Sequence, residues 1–339
     1  MPVGIAVVGC GYWGPNLVRN FWESDETELH WVCDLVPERL LGIQKRYPAV
    51  KLTHRLEEVL ADSAVDGVCI ATPSHTHFEL ARQVLESGRH VLVEKPLCDS
   101  SDKVQRLIDL AEQRGKVLMV DHTFLYNPAV QAVRGILDSG RLGRLLYFDS
   151  TRVNLGLFQR DVNVLWDLAV HDLAMMDYLI HDRRPLAISA TGIAHVPGQP
   201  ENMAYLTCFY ADNLVAHIHA NWLAPVKLRR TLLGGEKQMI VYDDLEPSER
   251  VKVYDKGITV TDEKEIHKLL ISYRSGDCWC PKVPAGEALE NEVRHFAECI
   301  RSGAKPLSDG LAGLRVVKMI EAGTLSIQQR GAPVELNLA

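Results

Sequence analysis

Residues 3–14, Val-Gly-Ile-Ala-Val-Val-Gly-Cys-Gly-Tyr-Trp-Gly, decide how the first part of this chain folds. A short apolar run, Ile5–Val8, is typical of a buried parallel strand. Residues 15–22 can begin a helix directly after the glycines. Pro15 is compatible with this position, since the first turn of a helix does not need the N–H that proline lacks. The stretch therefore predicts a strand, a tight turn and a helix in succession.

Three glycines occupy this turn with the spacing G-x-G-x-x-G. Gly9 permits a tight turn out of the strand, Gly11 lets the backbone approach a pyrophosphate closely, and Gly14 allows close packing of helix and strand. The N-terminus of the helix also favours the negative charge of a phosphate. With a strand before it and a helix after it, the motif predicts a dinucleotide-binding loop that includes Tyr12 and Trp13.

An acidic residue follows the next predicted strand, Glu28–Cys33, at Asp34. It lies about 20 residues beyond Gly14, where a carboxylate accepts hydrogen bonds from the adenosine ribose hydroxyls. The same carboxylate would repel a 2′-phosphate, so Asp34 predicts NAD as the cofactor. Two other interpretations stay open: Asp34 caps the helix that begins near Pro37, or Arg39 accommodates a 2′-phosphate.

Strands and helices alternate through residues 1–121, which predicts a doubly wound parallel sheet in a Rossmann domain. The predicted strand Gly67–Ala71 runs into Thr72-Pro73-Ser74-His75-Thr76-His77, and the strand His90–Val93 runs into Glu94-Lys95-Pro96. In an open α/β sheet, ligands bind at the carboxyl edge of the strands. Both loops are therefore candidates for the cofactor site.

From Leu145 onward, predicted strands are joined by short turns, which favours antiparallel pairing. Residues 122–339 are therefore predicted to form a substrate-binding α+β domain with a mostly antiparallel open sheet and helices on one face. The face without helices predicts a homodimer or homotetramer formed through this sheet. One predicted helix of the domain carries Asp167 and His171, four residues apart and hence on one helical face.

The composition of the 339 residues restricts the class of protein. Hydrophobic residues make up 47%, charged residues 24%, and the net charge is −7 with dispersed basic residues. These values are typical of a soluble globular protein and give no indication of a nucleic-acid or membrane surface. No leader precedes the first strand, so we expect a cytoplasmic protein whose eight cysteines are free thiols. Cys278 and Cys280 form a lone C-x-C pair, and we expect no metal site.

These motifs together resemble the glucose–fructose oxidoreductase/inositol dehydrogenase/MocA (Gfo/Idh/MocA) family, and Glu94-Lys95-Pro96 after a strand is the most specific part. The resemblance implies that Lys95 contacts the nicotinamide ribose and the substrate and assists proton transfer. An ammonium group there would stabilise developing alkoxide charge. The implied cofactor-binding residues are Gly9, Gly11, Tyr12, Trp13, Gly14, Asp34, Thr72, Pro73, His75, His77, Glu94, Lys95, Pro96 and Asn127.

The second domain contains a further family motif. The family pattern Asp-x-Gly-x-His is matched by Asp167, Ala169 and His171, with alanine in place of glycine. The resemblance implies that His171 is the catalytic acid/base and that Asp167 binds the substrate; a surface ion pair is the alternative. The crossover segment His-Thr-Phe-Leu-Tyr-Asn-Pro likewise implies substrate contacts from Tyr126 and Asn127.

The sequences 154–161 and 164–167 resemble a branch of the family that acts on nucleotide-activated sugars. The implied reaction is NAD-dependent oxidation of the 3-hydroxyl, as in UDP-N-acetylglucosamine, to a 3-keto sugar that an aminotransferase then consumes. Arg152 and Arg160 are candidates for binding the pyrophosphate. Three alternatives remain: a dehydrogenase of a free sugar or polyol such as inositol, a reductase of a keto sugar nucleotide, and a non-catalytic NAD-binding sensor.

Overall fold

The computed structural model of the protein describes residues 1–156, 162–255, 257–260 and 271–338. The chain divides into two compact units. The first comprises Met1–Asn127 with Gly286–Lys318, and the second comprises Pro128–Ala285 with Met319–Ala339. The predicted division assigns the whole of residues 122–339 to the second domain, so the structure and the prediction differ in two segments, 122–127 and 286–318.

The first unit contains a six-stranded sheet in which every pair of neighbours is parallel, in the order β3-β2-β1-β4-β5-β6. Every residue of β1 and of β4 is buried, as expected for central strands covered on both faces. The strand order reverses between β1 and β4, which is the place where such sheets bind ligands. The predicted doubly wound parallel sheet is confirmed. The strands are β1 (Val3–Val8), β2 (Thr27–Cys33), β3 (Lys51–Thr53), β4 (Gly67–Ile70), β5 (His90–Glu94) and β6 (Leu118–Asp121).

Helix α8 belongs to this first unit although it lies late in the sequence. Its apolar residues Leu289, Val293 and Phe296 are buried, and a Cβ added at Gly67 of β4 would lie 3.2 Å from the ring of Phe296. A parallel sheet needs helices over both faces, which explains why this segment returns to the first unit. The helices of the unit are α1 (Gly14–Glu23), α2 (Pro37–Arg46), α3 (Leu56–Ala61), α4 (His77–Glu86), α5 (Ser101–Arg114) and α8 (Ala288–Ser302).

The second unit is built on a nine-stranded sheet in the order β16-β13-β12-β11-β7-β10-β9-β8-β17. Among these described strands, β7 and β10 pair in parallel and the other neighbours are antiparallel. The predicted mostly antiparallel sheet is confirmed. The strands are β7 (Leu145–Leu155), β8 (Ala187–Ile193), β9 (Met203–Phe209), β10 (Val215–Asn221), β11 (Leu223–Gly235), β12 (Met239–Asp243), β13 (Val251–Tyr254), β16 (Cys278–Trp279) and β17 (Val334–Glu335), beside a separate pair, β14 (Gly257–Val260) and β15 (Ile271–Arg274).

The described residues of the second unit include two helices and a π-helical turn, and a third helix, α9, contains the point where the chain divides. They are α6 (Pro128–Asp138), the π-helical turn Leu165–Ala169, α7 (Val170–Leu179) and α9 (Gly310–Gln328). The π turn is a difference from the prediction, which treats this stretch as one regular helix. Among the helices that the structure describes, none combines the length and apolar character that crossing a bilayer requires.

Candidate active site

The glycine-rich loop has the geometry that its spacing predicts. Gly9 adopts a φ of +98°, and a Cβ there would lie 2.6 Å from the carbonyl oxygen of Ala71. A Cβ at Gly14 would lie 2.0 Å from the carbonyl oxygen of Gly9, so helix α1 can approach the loop only with glycine at this position. By contrast, a Cβ at Gly11 would meet no atom of the described chain within 4 Å. The backbone at Gly11 is therefore open to a ligand, as a pyrophosphate requires.

Asp34 lies directly after β2 and is buried, with 6% of its surface exposed. Its Oδ2 accepts the main-chain N–H of Cys10 at 2.6 Å, and its Oδ1 accepts that of Val36 at 2.8 Å. The guanidinium of Arg39 lies 3.4 Å from Oδ2. Asp34 therefore fixes the glycine-rich loop. Burial and the negative charge of Asp34 raise the pKa of the Cys10 thiol to about 12. Helix α2 is capped by Val36 without a side-chain hydrogen bond, so Asp34 is not its N-cap.

The two histidines of the loop after β4 lie in different environments. His75 is exposed, whereas His77 is almost fully buried at the start of α4. The ring nitrogens of His77 lie 2.9 Å from the carbonyl oxygen of Pro96 and 2.8 Å from that of Thr72. His77 thus connects the loop after β4 to the loop after β5. Burial lowers its pKa, although both hydrogen bonds oppose that effect.

Lys95 is half-buried at the end of β5, and the peptide bond between Lys95 and Pro96 is cis. Its main-chain N–H donates to Oε2 of Glu94 at 2.5 Å. His122 follows β6, the neighbouring strand, and is fully buried, and no hydrogen-bond partner for its ring occurs among the described residues. Burial and the positive charge of Lys95 lower the pKa of His122 to about 3, so its imidazole is neutral beside the ammonium.

Trp13 of the glycine-rich loop is held by Asp121, the last residue of β6. The indole Nε1–H donates to Oδ2 of Asp121 at 2.9 Å, and the hydroxyl of Thr123 donates to Oδ1 at 2.5 Å. Glu292 of helix α8 is fully buried beside this aspartate. Burial and the carboxylate of Asp121 raise the pKa of Glu292 well above its ordinary value.

Tyr126 and Asn127 are the last two residues of the first segment of the first unit. The Tyr126 hydroxyl and the Ser308 hydroxyl are 2.9 Å apart, and the ring of Tyr126 is buried. This contact makes Tyr126 part of the core of its unit. Asn127 is also buried, and its main-chain N–H donates to Phe124 at 3.1 Å.

In the second unit, Asp167 lies in the π-helical turn and His171 in the first turn of α7, and both are half-buried. The indole Nε1–H of Trp222 donates to Oδ2 of Asp167 at 2.9 Å, and Trp222 itself is buried. Asn163 stabilises the start of the turn, because its Oδ1 accepts the main-chain N–H of Leu165 at 3.1 Å. Single π turns occur frequently at functional sites.

Arg152 is fully buried and its Nε donates to Oδ2 of Asp172 at 2.5 Å. The hydroxyl of Ser150 donates to the other oxygen of Asp172 at 2.6 Å. Helix α7 is thereby joined to β7 through the residue next to His171. This geometry gives Arg152 a structural role in holding the helix. Arg160, the other predicted pyrophosphate ligand, lies outside the described residues.

The sequence analysis assigned no role to Asp121, His122 or Glu292, and it did not predict the contact between Trp222 and Asp167. A signal exists for Glu292, which is a charged residue on the buried stripe formed by Leu289, Val293 and Phe296. Asp121 and His122 are polar residues immediately after a strand, at the edge where ligands bind. Trp222 is separated from Asp167 by 55 residues, and no local pattern indicates their contact.

The described residues fit a dinucleotide. The open backbone at Gly11, the close approach of Gly14 and the buried carboxylate of Asp34 provide a cradle that additional side-chain atoms would fill. Within the ranges that the structure describes, no three His, Cys, Asp or Glu residues are grouped as a metal site would require.

Two family models match the chain. The model for the oxidoreductase family with the NAD-binding Rossmann fold, GFO/IDH/MocA, matches residues 3–122. The model for the GFO/IDH/MocA C-terminal domain matches residues 130–241. The first match confirms the predicted NAD-binding domain.

Several curated relatives align over nearly the whole chain. D-apiose dehydrogenase of Paraburkholderia graminis is 24% identical over 98% of this chain and 89% of its own length. UDP-N-acetylglucosamine 3-dehydrogenase of Acidithiobacillus ferrooxidans is 27% identical over 92% and 93%. The NADP(+)-dependent scyllo-inositol 2-dehydrogenase IolW of Bacillus subtilis is 22% identical over 97% and 93%. A solved structure of the Acidithiobacillus enzyme superposes with a TM-score of 0.81 at 23% identity, covering 97% of this chain and 99% of that one.

Proposed function

Because the chain belongs to the Gfo/Idh/MocA family of NAD-binding oxidoreductases, we propose that it oxidises the 3-hydroxyl of a nucleotide-activated sugar to a 3-keto sugar. UDP-N-acetylglucosamine is the substrate we propose, and an aminotransferase would consume the product. The relative named for this reaction supports the proposal, since 27% identity extends over 92% of the chain.

One observation supports this chemistry: Asp167 and His171 both lie at half-buried helical positions. Trp222 donates a hydrogen bond to Asp167, and Arg152 donates one to Asp172, the residue after His171. NAD would supply the hydride acceptor for the carbon that bears the hydroxyl. We assign His171 to take the hydroxyl proton, because an imidazole with an ordinary pKa near 6.5 accepts and returns protons near neutrality. Asp167 would accept hydrogen bonds from sugar hydroxyls while Trp222 holds its carboxylate.

Lys95 is assigned to stabilise the developing alkoxide. Its positive charge helps to lower the pKa of His122, so the ring of His122 stays neutral. Lys95 is then the cation of this pair, and its charge can stabilise the alkoxide. Glu94, Pro96, Thr72, Pro73 and His75 are proposed to border the cofactor, with His77 joining their two loops through main-chain carbonyls.

The test follows NADH absorbance with UDP-N-acetylglucosamine, coupled to an aminotransferase that removes the 3-keto product. Turnover that requires the intact nucleotide sugar supports the proposal. The same assay with free N-acetylglucosamine is the matched control, because it offers the same hydroxyl without the nucleotide. Equal kcat/KM values for the two would show that the nucleotide is not recognised.

A free sugar or polyol is the second candidate substrate. The relatives named for D-apiose and scyllo-inositol are 24% and 22% identical over comparable lengths, so overall similarity does not separate the two classes. Oxidation of a free polyol with no reaction of any nucleotide sugar would leave the residue assignments intact and replace the substrate. Turnover of a 3-keto sugar nucleotide with NADH would establish reduction as the alternative direction.

We propose a preference for NAD over NADP. Asp34 presents a buried carboxylate where a 2′-phosphate would have to lie, and its two oxygens are fixed by main-chain N–H groups. Arg39 contacts the same carboxylate and is half-exposed. Calorimetric titration with both cofactors tests the preference, and tighter NADP binding would assign the control of cofactor choice to Arg39.

We also propose that the protein forms a homodimer or homotetramer in the cytoplasm through the sheet of the second unit. Ser150 and Arg152 of β7 contact α7, so the residues that alternate with them lie on the opposite face of the sheet. That face exposes 52% of Tyr205 and 41% of Phe209, and Tyr205 stacks on His219 at 4.2 Å. Sedimentation at micromolar concentration tests the assembly, and Tyr205→Arg should dissociate it.

A further inference from the structure

Trp13 is a large side chain within the glycine-rich loop, two residues beyond Gly11. Its indole donates to Asp121, whose carboxylate is buried with 1% of its surface exposed. Thr123 donates to the other oxygen of the same carboxylate. Each oxygen of Asp121 therefore has a donor, and the loop is joined to the end of β6, three strands away in the sheet order.

Glu292 approaches this carboxylate from helix α8. Its side chain is fully buried, and neither of its oxygens has a hydrogen-bond partner within bonding distance among the described residues, while the nearby Thr123 hydroxyl only partly offsets the effect of burial on its pKa. Two buried carboxylates side by side cannot both be ionised without a large cost. A protonated Glu292 removes this repulsion and gains a donor, and Asp121 is the acceptor that it faces.

We propose that Asp121 and Glu292 share one proton and act as a positioning pair that holds Trp13, and through it the pyrophosphate-binding loop, in the conformation that receives NAD. The proposal rests on NAD binding by the first unit and does not depend on which sugar is oxidised. The pair would add to the cofactor site two residues that lie 171 positions apart in the sequence.

The hydrogen bond of the Trp13 indole matters for the order of the loop. Gly11 has no side chain, and among the described residues the space beside its backbone is empty, so no packing contact with them holds the loop at that position. A loop ordered before the cofactor arrives does not have to be ordered during binding, and this strengthens affinity. The contribution should therefore appear in the dissociation constant for NAD more than in the rate of the chemical step.

Trp13→Phe is the first test, with Trp31→Phe as the matched control. Trp31 of β2 makes the same type of bond, from Nε1 to Asp62 at 2.8 Å, away from the loop. Calorimetry should show NAD binding about tenfold weaker for Trp13→Phe, the usual size of one lost hydrogen bond to a charged group, and little changed for Trp31→Phe. Equal affinities for wild type and Trp13→Phe would overturn the proposal.

Glu292→Gln and Glu292→Ala separate proton donation from packing. Glutamine keeps the donor and the size, so NAD affinity should stay within about twofold of wild type, whereas alanine should weaken it several-fold. The indole signal of Trp13 in cofactor-free protein, identified by its absence in Trp13→Phe, should be unchanged by glutamine and displaced by alanine. Loss of affinity in both variants alike would contradict a shared proton.

The pH dependence of NAD affinity provides a further readout. The ionisable groups that face Glu292 are Asp121 of β6, Glu94 of β5, Cys69 of β4 and Tyr126 of the following turn. Wild type should lose NAD affinity as the pH rises through the raised pKa of Glu292, and Glu292→Gln should lose less. If wild type binds no NAD, the cofactor assignment fails, and the indole signal still decides whether Glu292 acts on Trp13.

Discussion

In the first unit the indole of Trp13 donates to Asp121, and in the second the indole of Trp222 donates to Asp167, in each case at 2.9 Å. The partners exchange roles between the two bonds. Asp121 is buried and holds a tryptophan of the cofactor loop, whereas Trp222 is buried and holds an aspartate assigned to the substrate. The same type of hydrogen bond thus holds the glycine-rich loop in the first unit and the side chain of Asp167 in the second.

This difference predicts which measurements each unit controls. In the first unit, Asp34 and His77 contact main-chain groups of loops, and Asp121 holds the indole of Trp13 in the glycine-rich loop. These contacts should determine NAD affinity. The contacts of the second unit orient side chains on one helix, through Trp222 and Asp172, and should determine turnover and sugar affinity.

The largest expected effect is that of His171→Asn, which keeps the approximate size but removes the proton acceptor. Turnover should fall about 10²–10⁴-fold, the usual contribution of general acid–base catalysis. NAD affinity should be unchanged, because His171 belongs to the second unit. Steady-state kinetics and calorimetry check the two halves of this prediction, and wild-type turnover in the variant would remove His171 from the mechanism.

Lys95→Met is expected to lower both turnover and NAD affinity, although Lys95 belongs to the first unit. Methionine preserves much of the side-chain volume without the charge, so turnover should fall by about 10²–10³-fold, as for other lost transition-state donors. NAD affinity should fall as well, because Lys95 is assigned to the nicotinamide ribose. Lys103→Met on helix α5, which removes an ammonium paired with Asp99, is the control for loss of a positive charge. Normal NAD affinity in Lys95→Met would confine Lys95 to the chemical step.

Much of the cofactor side could be predicted because its residues follow local rules. The positions of Gly9, Gly14 and Asp34 relative to β1 and β2 follow from spacing. The structure places Gly9 directly after β1, Asp34 directly after β2, and Gly14 at the start of α1. The β-rich second half is likewise readable from strand patterns and short turns.

The remainder could not be predicted because it depends on contacts between distant parts of the chain. The π-helical turn at Leu165–Ala169 is stabilised by Asn163, whose amide in turn donates to Glu201 at 3.1 Å. Arg152 has the charge expected of a pyrophosphate ligand, and only the position of Asp172 reveals its buried pairing. Helix α8 has an ordinary amphipathic pattern that does not say which sheet it covers.

Trp222→Phe should sharpen the comparison with a smaller effect. Removing the indole N–H takes one donor from the carboxylate of Asp167, so KM for the sugar should rise about tenfold while kcat changes less. Trp31→Phe again serves as control, because it loses the same type of bond in the other unit. NAD affinity should be unaffected by either change. An unchanged KM in Trp222→Phe would mean that Asp167 does not need this donor.

The smallest expected effect concerns stability and tests whether Glu292 carries a proton in the folded protein. Burial and Asp121 raise its pKa well above the ordinary value of 4.5. The folded state therefore binds this proton more tightly than the unfolded state, and the stability it confers is fully present below about pH 4.5. That stability is lost as pH rises from there through the raised pKa. Glutamine cannot ionise, so Glu292→Gln should escape this loss.

The melting temperatures of wild type and Glu292→Gln should therefore differ by a constant amount below about pH 4.5 and diverge in favour of the variant towards about pH 8. Scanning calorimetry across this range measures the divergence. Glu298→Gln, on the same helix with 68% of its side chain exposed, is the matched control and should show a much smaller trend. A difference between wild type and Glu292→Gln that does not vary with pH would mean that Glu292 is ionised in the folded protein. It would then have no proton to share with Asp121, and the hydrogen bond from Trp13 would have to hold the loop without it.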